Sequence, residues 1–319
     1  MNPEPEAPEE RRLLGVLARA ARRLLGAAAT LLAIITLSFL IARLAPGSPF
    51  ESERALDPAV RAALETRYGL DRPMPAQWLA YLGGLARLDF GPSLQYPERT
   101  VREILAQALP HSLLLGLCSL AVGGILAFLL GTIAAARRGS ALDQALLASS
   151  TLALLAPSFV VGPVLLIVFA SWLGWFDVFG WGTAQGLVLP VLTLAPAYAA
   201  ALFRLVRQGI SQTLDEPFIR AAIARGNPGW RVLWVHALRP GLKPAIGYFG
   251  PAAAALLTGT LAVEKVFAIP GLGKHFVDAA LGRDVFLLLG TVVVYSAFLL
   301  ALTAATDALA ALADPRIRR

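Results

Sequence analysis

The residues of this chain that could do chemistry are few, and they gather at the borders of long apolar blocks. The densest group is 216–240, which opens Glu-Pro-Phe-Ile-Arg-Ala-Ala-Ile-Ala-Arg-Gly-Asn-Pro-Gly-Trp. Its chemistry is recognition, not bond-making. A helix-prone piece, 216–225, meets Gly226; Asn227, Pro228 and Gly229 follow as a turn; a second amphipathic piece, 230–238, is expected to stop at Pro240. Glycine just past a helix and proline beyond it are stop signals, so a built loop is expected. On the first piece Phe218, Ala221, Ala222 and Arg225 fall on roughly one face, an apolar ridge flanked by Arg220 and Arg225. Such a face suits a groove on another protein. It suits a bed of anionic lipid headgroups equally well.

A second group is Val263-Glu264-Lys265-Val266-Phe267-Ala268-Ile269-Pro270-Gly271-Leu272-Gly273. Glu264 and Lys265 read as a snorkelling, solvated pair. Alternatively Glu264, Phe267, Pro270, Gly271 and Gly273 form part of an outer gate or a contact for an external partner. Glycines beside a proline predict a tight, fixed turn there instead of a helix. No catalytic constellation accompanies either group. The chain has no GxxxxGK[ST] phosphate loop, so ATP binding in the usual way is not expected, and it has no HExxH or GxSxG. Cys118 stands alone, and His111, His236 and His275 lie in different loops or span ends, so no metal site is expected.

The blocks that position these groups are membrane-like. The 319 residues are 57% hydrophobic and 15% charged, with mean hydropathy +0.65; ordinary soluble domains carry roughly 25% charged residues. Charge is absent from 24–42, 104–136, 144–176, 178–203, 244–263 and 285–306. About 20 apolar residues cross the hydrocarbon core. The reading is an all-α, polytopic membrane protein with six transmembrane helices near 24–44, 110–136, 144–172, 184–206, 245–263 and 285–307. No repeating strand alternation suggests a barrel. The first apolar run is too long for a cleaved signal core and follows a long tail, so it is read as an uncleaved span.

Charge placement orients the chain. Net charge is +7. Arginines crowd the tail 1–23, the short loop at Arg137 and Arg138, the loop 207–244 with its neighbours, and the tail 308–319. The positive-inside rule puts these on the cytoplasmic side, including both termini, and explains the excess without nucleic acid. The segment 45–109 is then an extracytoplasmic helical loop. Asp57 is expected to cap a helix starting at Pro58, and a second helix is expected from Pro75 to Leu88. Trp172, Trp175 and Trp181 mark the outer interface.

Inside the spans, Pro157, Pro163, Pro190 and Pro196 predict kinks, either simple or flexing with a pathway. Gly123, Gly124 and Gly131 predict close helix packing. Ionisable residues stop at the span ends, apart from Asp307. Ion-coupled carriers usually hold such residues in the membrane, so energy is expected to come from another subunit. A lone secondary carrier and a membrane scaffold are the rival readings.

The chain resembles the permeases of binding-protein-dependent ABC importers, and within them the oligopeptide/dipeptide group. The resemblance runs over nearly the full length: Arg43-Leu-Ala-Pro-Gly-Ser-Pro after the first span, Arg67-Tyr-Gly-Leu-Asp-Arg, Arg87-Leu-Asp-Phe-Gly-Pro-Ser-Leu, the short loop Arg137 to Asp143, Leu189-Pro190, the 263–273 segment, and the ending Asp314-Pro-Arg-Ile-Arg. The loop 207–244 is similar to the family's cytoplasmic coupling loop, the EAA region. Gly226 sits at the motif glycine, Ala222 at its second alanine and Leu238 at its later leucine. Arg220-Ala221-Ala222 stands where the wider motif begins Glu-Ala-Ala, and Arg239 replaces a usual proline.

The resemblance implies a multi-pass bacterial inner-membrane subunit, without a cofactor of its own, importing peptides. Nickel, glutathione and other peptide-like solutes use similar machinery. It implies as partners a second permease, an extracytoplasmic substrate-binding protein, and two cytosolic ATPases that bind ATP and Mg. Phe218, Arg220, Ala221, Ala222, Arg225, Gly226 and Leu238 would then face the ATPase. The 263–273 segment would gate the outer side or touch the binding protein.

Overall fold

The computed structural model describes residues 9–44, 58–178 and 180–313. The expected cap Asp57, the ending from Asp314 and the outermost parts of both tails lie outside them. Among the described residues every regular element is helical; an isolated bridge pairs Pro92 with Thr100.

The helices are α1 (Glu9–Leu44), α2 (Pro58–Arg67), α3 (Met74–Leu85), α4 (Val101–Ala136), α5 (Ala141–Leu155), α6 (Ser158–Leu165), α7 (Ala184–Leu214), α8 (Pro217–Ala224), α9 (Gly229–Arg231), α10 (Leu238–Gly241), α11 (Lys243–Val266), α12 (Leu272–Leu281) and α13 (Val285–Ala313). Leu166–Trp172 after α6 and Val232–Ala237 after α9 are wound as π-helix.

Among the described residues four stretches are long and apolar enough to cross a membrane: Ala21–Leu44, Val101–Ala136, Ala184–Leu214 and Val285–Ala305. A fifth arises if α5 and Ser158–Trp172 count as one broken span. The expected span 245–263 coincides with α11, whose 24 residues make about 36 Å at 1.5 Å per residue. Among the described residues length and composition mark up to five spans, and α11 stands outside that set although it is long enough to cross.

The third span departs furthest from expectation. It is not a kinked rod: its two halves meet at 99°. Proline disfavours helical geometry in the residue before it. Ala156 accordingly sits extended at φ −80°, ψ 110°, and Pro157 at φ −65°, ψ 132° caps the next helix. Pro163, Pro190 and Pro196 stay inside their helices.

The chain forms two compact units. The first comprises residues 1–102 and 282–300. In it Asp284 is fully buried and gathers four donors. Its Oδ2 accepts from Ser93 Oγ at 2.5 Å and from the amides of Leu94 and Gln95 at 2.8 and 3.0 Å; its Oδ1 accepts from the Leu287 amide at 3.0 Å. One carboxylate thus caps α13 and ties down the chain at 93–95. The helix expected from Pro75 to Leu88 ends at Leu85, where Leu88 adopts a positive φ of 58°.

The second unit, residues 103–281 and 301–319, is built around α7. This helix is buried along much of its length and packs against α5 and α11. Gly123 and Gly131 let α4 approach it. A Cβ would lie 2.5 Å from the Tyr198 ring at Gly123 and 2.8 Å from Val206 at Gly131, whereas Gly124 faces nothing within 4 Å. Two of the three glycines therefore serve the close packing expected of them.

Candidate functional site

The loop between α7 and α11 is a folded element. Glu216 precedes α8, and Pro217 starts it at the first helical position, where proline lacks no needed donor. The helix ends as its glycine predicts. Gly226 takes φ +82° and donates its amide to Ile223 O at 2.9 Å. Asn227 Nδ2 donates to Ala222 O at 2.9 Å, so a free carbonyl of the last turn is satisfied. No neighbour lies within 4 Å of a Cβ at Gly226, so glycine is there for its backbone angle and not for space.

The faces of α8 differ from the expected ridge. Ile219 and Ala222 are buried, Ala222 at 1% exposure, and Ile219 packs with Val232 and Ala237 of the following π-helical segment, with Leu214 alongside. Ala222 therefore holds the helix to its own protein and is not part of an outer ridge. Phe218 (46% exposed) and Ile223 (57%) flank the outer side, with Arg220, Ala221 and Arg225 between them. Ile223 was not among the expected face residues. Leu238 is partly buried against the core beside α7. The second piece does not stop at Pro240. It runs through Gly241, and α11 begins two residues later.

The mount of this loop lies in pairs that charge counting does not reveal. Arg138 makes a two-pronged ion pair with Asp215, the C-cap of α7, at 2.6 and 2.6 Å, and reaches Ser211 O at 3.3 Å. That guanidinium holds the exposed Asp215 carboxyl below the usual carboxylate range, first through its hydrogen bonds and then through its charge. Eleven residues N-terminal to Asp215, Arg204 donates to Ser150 Oγ at 3.1 Å and Thr151 Oγ1 at 2.7 Å. Between them Arg207 clasps Asp143 at 2.5 and 2.6 Å. Asp143 is buried and also accepts the Gly139 amide at 2.8 Å. Bidentate Arg–carboxylate pairs fix orientation as well as distance. The short loop 137–140 and the start of α5 are in this way fastened to the end of α7, from which α8 projects.

The outer group is also a built structure, but a closed one. Glu264 is 0% exposed, so the solvated pair is overturned. Its Oε1 accepts from Ser112 Oγ at 2.8 Å; its Oε2 accepts from the amides of Gly273 at 2.7 Å and Lys274 at 3.3 Å. Ser112 Oγ in turn accepts the Leu272 amide at 2.8 Å. These three amides open α12, a ten-residue helix beginning where a turn was expected to continue. Free N–H groups at a helix start favour an anionic acceptor, and Glu264 supplies it. Lys265 pairs instead with Asp278 of the same helix.

The two glycines are needed because the carboxylate passes so near. A Cβ at Gly271 would lie 2.3 Å from Glu264 Oε2, and one at Gly273 would lie 2.6 Å from Leu261 Cα. Phe267, Gly271 and Gly273 are buried and Pro270 partly so. The structure brings the five residues together, yet as an internal fastening and not as an open surface. Among the described residues no group of three or more His, Cys, Asp or Glu is placed to hold a metal ion.

A family model described as binding-protein-dependent transport system inner membrane component matches residues 127–319. The chain is 42% identical over 299 residues to the oligopeptide transport system permease protein OppB of Haemophilus influenzae, covering 93% of this chain and 98% of that protein. It is 39% identical to OppB of Escherichia coli K12 with the same coverage. It is 37% identical over 297 residues to the dipeptide transport system permease protein DppB of Bacillus subtilis, covering 93% and 96%.

Proposed function

The chain belongs to the family of binding-protein-dependent transport system inner membrane components, and from that premise we propose that it is the permease subunit of an ATP-driven ABC importer of peptides. The observation that carries this reading is similarity over 93% of the chain to oligopeptide and to dipeptide permeases alike. It is a multi-pass inner-membrane protein and a non-catalytic transport subunit. The lone-carrier and scaffold readings give way to it.

The finer reading is as follows. Both termini face the cytoplasm, because the arginine-rich loops do. A second, related permease completes the pathway. Two cytosolic ATPases bind ATP and Mg, and an extracytoplasmic binding protein delivers peptide. The outward side of α8 seats on an ATPase: Phe218 and Ile223 enter an apolar groove while Arg220 and Arg225 meet its acidic rim. What supports this is a face that is apolar, basic and exposed on a helix whose other face is buried. Gly226 ends that helix, and the pairs Arg138–Asp215 and Arg207–Asp143 hold its root, so a push on α8 is passed to α7 and α5. A two-state importer needs such a rigid element, since partners bias a conformational equilibrium only by contacting its states differently.

Capture of the tagged chain in mild detergent, with partners identified by mass spectrometry, tests this. The wild type should bring down a second permease and ATPases. A Phe218→Asp, Ile223→Asp variant should lose the ATPases and keep the permease. Retention of the ATPases by that variant would remove α8 from the coupling role, and recovery of the wild type alone would overturn the multi-subunit reading.

A further inference from the structure

The half of the loop that follows Gly226 carries an exposed face that the docking of α8 does not use. Trp230, Trp234 and Val235 are exposed, while Val232 and Ala237 are buried with Ile219 on the opposite side. Helical winding sets Trp230 and Trp234 in one row and Arg231, Val235 and Arg239 in the next. The outward side of residues 229–239 is thus an aromatic strip edged by two exposed arginines.

Helix α4 sets the depth of this strip. The rings of Trp234 and Phe128 lie 6.2 Å apart, tilted by 59°. Phe128 belongs to the apolar span Val101–Ala136, about 12 Å short of its end at 1.5 Å per residue. Beside it Ile125, Leu129 and Ile133 are exposed in a row with a spacing of four, the pattern of an outward apolar stripe. Arg137 and Arg138 follow at the helix end. Trp234 therefore stands level with the last apolar turns of a span. A cytosolic ATPase does not reach that depth.

Charge narrows what covers the strip. No Asp or Glu occurs between Glu216 and Glu264, whereas Arg220, Arg225, Arg231, Arg239 and Lys243 do. Neither Arg231 nor Arg239 is paired with a carboxylate among the described residues. Asp143 and Asp215 are already held by Arg207 and Arg138. The strip is therefore positive without compensation, and it calls for an anionic cover. A related permease would bring a basic loop of its own to this side, and the cores of protein interfaces are poor in charge. Tryptophan at span ends, with arginine beside it, suits the layer between headgroups and acyl chains.

We propose that residues 229–239 are a membrane anchor: Trp230, Trp234 and Val235 lie among the glycerol groups and first acyl carbons of the cytoplasmic leaflet, and Arg231 and Arg239 pair with the phosphates of anionic phospholipid. The choice of leaflet rests on the reading of the arginine-rich side as cytoplasmic. The loop then divides its work. α8 reaches the cytosol, 229–239 stays in the lipid surface, and the turn at 226–229 joins them.

The test places a nitroxide at residue 235 of the full chain, as Val235→Cys on a Cys118→Ala background. The protein is held, with the subunits that stay bound, in nanodiscs of phosphatidylcholine and phosphatidylglycerol. Val235 is exposed, so the labelled chain should melt with the unlabelled one. Oxygen, which enters lipid, should reach the label several-fold more readily than a water-soluble nickel chelate. Nickel reaching it as freely as it reaches a nitroxide in water overturns the anchor. Shielding from both reagents overturns the lipid cover in favour of a protein one. A second measurement needs no label: native mass spectrometry of the lipid retained by the chain on release from the same discs. The ratio of phosphatidylglycerol to phosphatidylcholine should fall about fivefold for each of Arg231→Gln and Arg239→Gln, the worth of one cation near an anionic surface. An unchanged ratio removes the arginines from phosphate recognition. Loss or retention of the ATPases alters neither the depth of residue 235 nor this ratio, so failure of the anchor and failure of ATPase docking are distinguishable.

Discussion

Arg207 and Asp143, 64 residues apart in sequence, meet through two hydrogen bonds of 2.5 and 2.6 Å, with the carboxylate buried and the guanidinium mostly so. They join α7, which leads into α8, to the first turn of α5. Removing one partner of a buried pair leaves the other uncompensated, at about 3–5 kcal/mol, whereas replacing both is far milder. Arg207→Ala and Asp143→Ala should each lower the melting temperature of the detergent-solubilised protein markedly. The double variant should lose less than the sum. Additive losses would show that the pair does not act as a unit.

The second pair of the mount should behave differently, because it is exposed. Arg138→Gln should change stability by less than about 1 kcal/mol at physiological salt, as surface pairs do. The pH dependence has a definite sign. The Asp215 carboxyl is held low in the folded state by Arg138. Its contribution is therefore present above the unfolded carboxylate value of about 3.9 and is lost as pH falls below it. Melting curves of the wild type and Asp215→Asn should converge on acidification; divergence would refute the assignment.

At Gly226 the expected cost is conformational. With φ +82° and no neighbour within 4 Å of a Cβ, alanine should destabilise by about 1–2 kcal/mol through its left-handed backbone. Asparagine, which tolerates that region better, should cost less. Equal effects of the two substitutions in thermal melting would show that space, and not the backbone angle, is limiting there.

Gly271→Ala should be much worse than Gly226→Ala, since its Cβ would meet Glu264 Oε2 at 2.3 Å. Glu264→Gln keeps the shape, and Ser112 Oγ can turn to accept from the new amide, so a mild loss is expected. Glu264→Leu removes the acceptor of the Gly273 and Lys274 amides, and the buried one, Gly273, is then unsatisfied at about 1–3 kcal/mol. Expression level and melting temperature should rank Gln above Leu. The reverse order would mean that the carboxylate is not what caps α12.

Much of this architecture was legible in the sequence because it is local. Charge-free blocks of span length, glycine and proline stops and the arginine bias each depend on residues close together in the chain, so the apolar helices, the end of α8 at Gly226 and the glycine contacts at 123 and 131 could be anticipated. The family resemblance rested on short motifs in a fixed order. What could not be read depends on distant partners. In an eight-residue helix with apolar residues all round, periodicity cannot tell inside from outside. The packing of Ile219 with Val232 and Ala237 decided it, and Ala222 went inward on the same side. An acid at a span end looks solvated until a serine 152 residues away and the amides of a following helix enclose it, as happens to Glu264. A proline announces a break but not its angle, which at Pro157 is 99°. An arginine counted for its charge reveals its partner only once the folded chain brings Asp143 or Asp215 to it, because hydrogen bonds form between neighbours in space and not in sequence.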